Sequence, residues 1–76
     1  MNIWQVYSYY DYENAYYRAQ YYKCKEIGLY LLSQLKDDRA KELYKQLEQF
    51  EYDWLHPTAK DAKLLLDIKI WLMVNQ

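Results

Sequence analysis

Residues 7–22 read YSYYDYENAYYRAQYY and hold eight of the chain's eleven tyrosines. Their reading decides the fold, because the stretch either continues as one helix into KCKEIGLYLLSQL (23–35) or breaks away from it. The spacing favours continuity. Tyr10, Tyr17, Tyr21, Cys24, Gly28, Leu31 and Leu35 align in alternating steps of three and four residues, with Asn14 as the one polar interruption, which predicts a helix over about 9–35. Gly28 sits on that seam. A glycine inside a helix costs about 1 kcal/mol relative to alanine, and the expected compensation is close approach of another helix. A second apolar strip, Tyr12, Tyr16, Ala19 and Tyr30, is separated from the first by Gln20, Lys23 and Gln34. Two strips need two neighbours, one of which is expected to be another copy of the chain or a different protein.

Downstream, DDRAKELYKQLEQFEYDWL (37–55) repeats Ala40, Leu43, Leu47, Phe50 and Trp54 at helical spacing, with Glu42, Lys45, Glu48, Gln49 and Asp53 on the other faces. Asp37 and Asp38 supply an N-cap side chain and the negative charge that a helix start favours. After His56 and Pro57, Thr58 with Asp61 resembles a capping box, and a third helix is predicted over about 58–73. Its polar residues Lys60, Lys63 and Asp67 occupy a narrow sector, with Lys69 isolated opposite. Most of its circumference is apolar and needs cover.

The fold class that follows is all-α: a small three-helix protein, one domain over 1–76, built on an antiparallel helical hairpin. A competing arrangement pairs the two termini as a small sheet under the hairpin, since DIKIWLMV (67–74) alternates around Ile68, Ile70 and Leu72 and IWQVYSY (3–9) is rich in β-branched and aromatic residues.

One glycine, one proline and 53% apolar residues describe an ordered, helix-rich chain rather than a disordered one. Ten basic residues against eleven acidic ones give a net charge of −1, which provides no global attraction to nucleic acid or anionic membrane. The apolar runs are far shorter than the roughly 18 residues of a membrane span. The start, MNIWQVYSYY, lacks the features of a signal peptide, and a lone cysteine fits a reducing compartment. A cytoplasmic location is expected, with no membrane partner.

Chemistry is sparsely provided for. Cys24 lies between Lys23 and Lys25, which lower a thiol pKa in principle, yet its place on the helix seam is that of a small core residue. His56 and Cys24 are too few for a structural zinc site, and one glycine rules out a phosphate-cradling loop. The carboxylates are accounted for by capping at Asp37 and Asp38 and by a solvated face at Glu48, Glu51 and Asp53. No enzyme activity, cofactor, metal or small-molecule substrate is expected.

The segment AYYRAQYYKCK (15–25) is the candidate binding surface. Aromatic rings interleaved with Arg18, Lys23 and Lys25 suit single-stranded nucleic acid, and residues 18–36 carry a net +3. The same residues suit a protein interface, where tyrosine brings large area with two torsions and a hydroxyl that tolerates water. The net charge of −3 over 37–55 decides for protein, because it offsets the basic patch. The expected protein-binding residues are Tyr12, Tyr16, Arg18, Tyr22, Lys23 and Tyr30, whereas Tyr10, Tyr17 and Tyr21 are expected at the rim of the core. The function expected is an inhibitor or adaptor, of the kind phages and mobile elements encode, or a minor subunit of a larger assembly. A nucleic-acid-binding regulator is the alternative, and a homodimer fits either.

Overall fold

A computed structural model describes residues 7–51 and 59–75. They form four helices: α1 (Tyr9–Tyr17), α2 (Tyr21–Ser33), α3 (Asp38–Glu48) and α4 (Ala59–Val74). The chain is mostly helical, and the described residues contain no strand. Ile68, Ile70 and Leu72 lie inside α4, so the sheet alternative loses its C-terminal member; its N-terminal member, residues 3–9, falls largely outside the described residues.

The helix predicted over 9–35 is two helices. α1 starts where the Ser8 N–H donates to the Asp11 carboxylate at 2.7 Å, the return half of a capping box. It stops at a Schellman turn: the Gln20 N–H donates to the Ala15 carbonyl at 2.9 Å and the Ala19 N–H to the Tyr16 carbonyl at 3.1 Å. The left-handed residue of that turn is Ala19, with φ 57°. Glycine usually fills this position because a Cβ is strained there. An alanine that looks helical in the sequence is therefore the residue that ends the helix.

α3 is also shorter than the predicted 37–55. Asp37 is its N-cap as expected, its carboxylate accepting the Arg39 N–H at 2.8 Å. Past Glu48 the chain leaves the helix and Phe50 drops into the core. The Phe50 carbonyl accepts from Lys25 Nζ at 2.7 Å instead of from a further helical turn. Trp54, His56, Pro57 and Thr58 lie outside the described residues.

α2 packs against both α1 and α3, whose backbones stay apart among the described residues, while α4 packs against all three. The first three helices thus form a layer with α2 in its middle, and α4 lies across it. Tyr12, Cys24, Ile27, Leu32, Leu43, Leu47, Leu65 and Ile68 are the large side chains sealed between them. Gly28 shows how close the approach is. A Cβ there would stand 2.7 Å from Leu47 Cδ2 and 3.0 Å from the Tyr12 ring. The bare backbone is what lets α1 and α3 close on α2 at this level.

Candidate functional site

The break at Ala19 resets the helical phase, and this redistributes the tyrosines. In α2 the buried residues are Cys24, Ile27, Gly28 and Leu32, so the expected seam holds at Cys24 and Gly28, while Tyr21, Leu31 and, past the helix end, Leu35 are half-buried. In α1 it does not. The buried stripe there is Tyr9, Tyr12 and Ala15, and the residues read as its seam, Tyr10, Asn14 and Tyr17, face outward. Tyr10 and Tyr17 are each 69% exposed.

Tyr12, expected to meet a partner, is fully buried, and its hydroxyl donates to the Leu65 carbonyl of α4 at 2.8 Å. Burial drives its phenol pKa upward, so it stays a neutral donor. This residue holds the fold together and cannot serve as a docking contact. Tyr16 is half-buried, its ring edge-on to Tyr17 at 5.5 Å and tilted against Tyr21 at 6.3 Å.

The remaining expected residues divide between places. Lys23 and Tyr30 meet around Tyr7: the Tyr7 hydroxyl donates to the Glu26 carboxylate, Lys23 Nζ lies 3.2 Å from the same carboxylate and 5.4 Å above the Tyr7 ring, and Tyr30 packs edge-on at 5.9 Å. The Tyr7 hydrogen bond, then Lys23, holds the Glu26 carboxyl below its ordinary value. Tyr7 and then Glu26 raise the Lys23 ammonium. Arg18 and Lys23 both line a groove of about 200 Å³ between α1 and α2, with Asp11, Asn14 and Gln20. Tyr22 is 84% exposed, on the side of α2 turned away from Cys24 and Gly28.

A second exposed surface lies on α4. On α4, Leu65, Ile68 and Leu72 face the core, and Leu66, Ile70 and Met73 emerge at helical spacing on the opposite side, with Val74 beyond them. Lys69 joins this stripe to α1. Only 8% exposed, it places its ammonium 5.2 Å from the centre of the Tyr17 ring. A hydrogen bond with Tyr17 is the main reason its pKa is raised despite desolvation, and a further bond reaches Tyr9. Tyr9 in turn donates to Glu13 at 3.3 Å, and burial raises its own pKa. Leu66 and Met73 flank Lys69 at i−3 and i+4. Lys69 thus ties the exposed ring of Tyr17 on α1 to the α4 face from which Leu66 and Met73 emerge, while Ile70 and Val74 line a groove with Arg39 of α3.

Helical periodicity places Tyr10 and Tyr17 at the core rim and singles out none of the α4 residues. The signal for the latter is present, since the third predicted helix is apolar around most of its circumference. Nucleophilic chemistry finds no support at Cys24. Its thiol is sealed in the core, and burial pushes its pKa up to about 12, which keeps it protonated. Among the described residues no group of His, Cys, Asp and Glu could hold a metal ion, and no helix is long and apolar enough to cross a membrane. No family model, curated protein or solved structure matches the chain.

Proposed function

We propose that this chain acts by docking onto another polypeptide, without chemistry of its own, and that the α1–α4 surface is where it docks. The role is that of an adaptor, an inhibitor of the kind phages encode, or a small subunit of an assembly. In this reading the α2–α3 pair is the antiparallel hairpin that carries the surface. One observation carries the reading: Leu66, Ile70, Met73 and Val74 are large apolar side chains left exposed on α4, and Lys69 ties that helix to the exposed ring of Tyr17 on α1. Exposed apolar surface of this kind marks an interaction site, and aromatic residues with a polar tip are the side chains enriched there.

The nucleic-acid alternative loses ground on geometry. Lys23 is engaged by Glu26 and Tyr7, and Lys25 is turned to the Phe50 carbonyl, so two of the three cations of the basic segment serve the fold. Arg18 alone is a weak anchor for phosphate.

The test is co-purification of the tagged chain from the cells that make it, comparing the parent with Ile70→Asp and with Tyr22→Asp. A stoichiometric polypeptide other than this chain should be retained by the parent and by Tyr22→Asp and lost from Ile70→Asp. Equal retention by all three forms rules out the α1–α4 surface.

A further inference from the structure

Between α1 and α2 the chain has the conformation of a turn and the sequence of a helix interior. Arg18, Ala19 and Gln20 include neither glycine nor proline, and all three are strong helix formers. Ala19 nonetheless stands at φ 57°, where an L-residue is strained. The helix that follows starts without support. Gln20, the N-cap of α2, makes no side-chain capping bond, and the first turn holds no acidic residue. The N–H groups of Tyr22 and Lys23 donate to no carbonyl of the turn, whereas in a straight helix they would donate to Arg18 and Ala19. We infer that this turn is a hinge: it straightens to fuse α1 and α2 into one helix over 9–33, and the seat that α1 leaves is filled by α1 of a second copy. Such an exchange of identical elements is a low-cost route to a pair.

The seat is shaped for this one segment. Gly28 leaves room for the Tyr12 ring, which a Cβ would approach to 3.0 Å, and the Leu65 carbonyl accepts the Tyr12 hydroxyl at 2.8 Å. Lys69 reaches the Tyr17 ring at 5.2 Å. None of these contacts involves Arg18, Ala19 or Gln20, so an α1 supplied by another chain makes all of them while the strain at Ala19 is relieved. The straight helix also accounts for the outward tyrosines. At about 100° per residue its seam runs through Tyr10, Tyr17, Tyr21, Cys24 and Gly28, and the core stripe Tyr9, Tyr12 and Ala15 falls on another side. That stripe then points away from its own α2 and toward a partner. Tyr10 and Tyr17, each 69% exposed in the closed chain, continue the surface on which the incoming α1 lies. The exchange involves neither Ile70 nor the exposed side of α4.

The test joins solution mass to a distance within one chain. Sedimentation equilibrium from about 1 to about 500 µM, with helix content followed by circular dichroism, should show the parent passing from one chain of 9.5 kDa toward two. Spin labels on Tyr10→Cys and Ser33→Cys, both exposed positions, are read by electron spin resonance with the labelled chain diluted into unlabelled excess; the buried thiol of Cys24 stays unlabelled. In the closed chain the labels lie close, because Tyr7 just before α1 packs on Tyr30 of α2 at 5.9 Å. In the straight helix they stand about 35 Å apart, and this distance is expected in the paired fraction. Ala19→Gly, which relieves the turn and weakens the helix, should stay single with the short distance. Ala19→Val, β-branched and poorly suited to positive φ, should pair at about tenfold lower concentration than the parent. A parent and Ala19→Val that both stay single with helix intact, or a pair whose labels remain close, overturns the inference. Should Ala19→Val lose its helix signal, the parent and Ala19→Gly at the highest concentration decide, and absence of the long distance from both overturns it.

Discussion

At Gly28 the local preference of the residue and the demand of the packing oppose each other. Alanine would raise helix propensity by about 1 kcal/mol, yet its Cβ would meet Leu47 Cδ2 at 2.7 Å and the Tyr12 ring at 3.0 Å. Leu47 and Tyr12 are both fully buried, so neither has free space to retreat into. Overpacking of a tight core costs about 1–3 kcal/mol, and Gly28→Ala is expected to be destabilising by about 1 kcal/mol net, read from the urea midpoint. A raised midpoint would show that Leu47 repacks freely. The close approach at Gly28 was legible in the sequence, because a lone glycine on an apolar helical seam gives up propensity that only a tightly packed neighbour restores. The burial of Tyr12 was not. A tyrosine hydroxyl sealed in a core needs a specific acceptor, here the Leu65 carbonyl 53 residues away, and nothing local announces it.

At the scale of the element, the decisive unit is the turn between α1 and α2. Its two reciprocal hydrogen bonds are made by backbone, so no side-chain motif records them, and the position that usually carries glycine carries Ala19. The strain this leaves is removable. A non-glycine residue in the left-handed region costs about 1–2 kcal/mol, partly offset in Ala19→Gly by the extra freedom glycine has when unfolded. The net expectation is a gain of about 0.5–1 kcal/mol, seen as a higher melting temperature with unchanged helix content. A loss would mean that the chain tolerates Ala19 without strain. The same turn accounts for the misplacing of the α1 tyrosines by periodicity. The seam of α2 holds at Cys24 and Gly28, but extended backwards it passes through a break that shifts the phase, exchanging Tyr10 and Tyr17 with Tyr12. A glycine at position 19 would have revealed the stop. The fold class is insensitive to that break because it rests on which segments are helical, whereas the candidate site depends on which way each side chain points.

Taken as a whole, the molecule buries acids in their neutral form, and this sets its response to pH. Burial raises the pKa of Cys24 to about 12 and raises those of Tyr12 and Tyr9. An unfolded thiol ionises near its ordinary value of 9.0, the folded one only near about 12. The stabilisation is therefore complete below about pH 9 and is lost as pH climbs toward about 12. Within that window one such group steepens the decline by up to about 1.4 kcal/mol per pH unit. Between about pH 8 and about pH 10.5 the parent is expected to lose on the order of 2 kcal/mol through Cys24 alone, and Cys24→Ala, though less stable at the lower pH, should decline more gently. Parallel declines would show that the thiol is not the group responsible.

The placement of α4 sets the order in which the fold closes. Helices α1, α2 and α3 touch their neighbours in sequence, so their contacts form between segments made one after another. The contacts of α4 with α1 span most of the chain, as in the bond from Tyr12 to Leu65. The three-helix layer can therefore form before α4 docks, with its underside bare and the Tyr12 hydroxyl lacking the carbonyl it finds in α4. Until α4 docks, the layer leaves bare the apolar surface that Leu65, Ile68 and Leu72 cover in the finished fold.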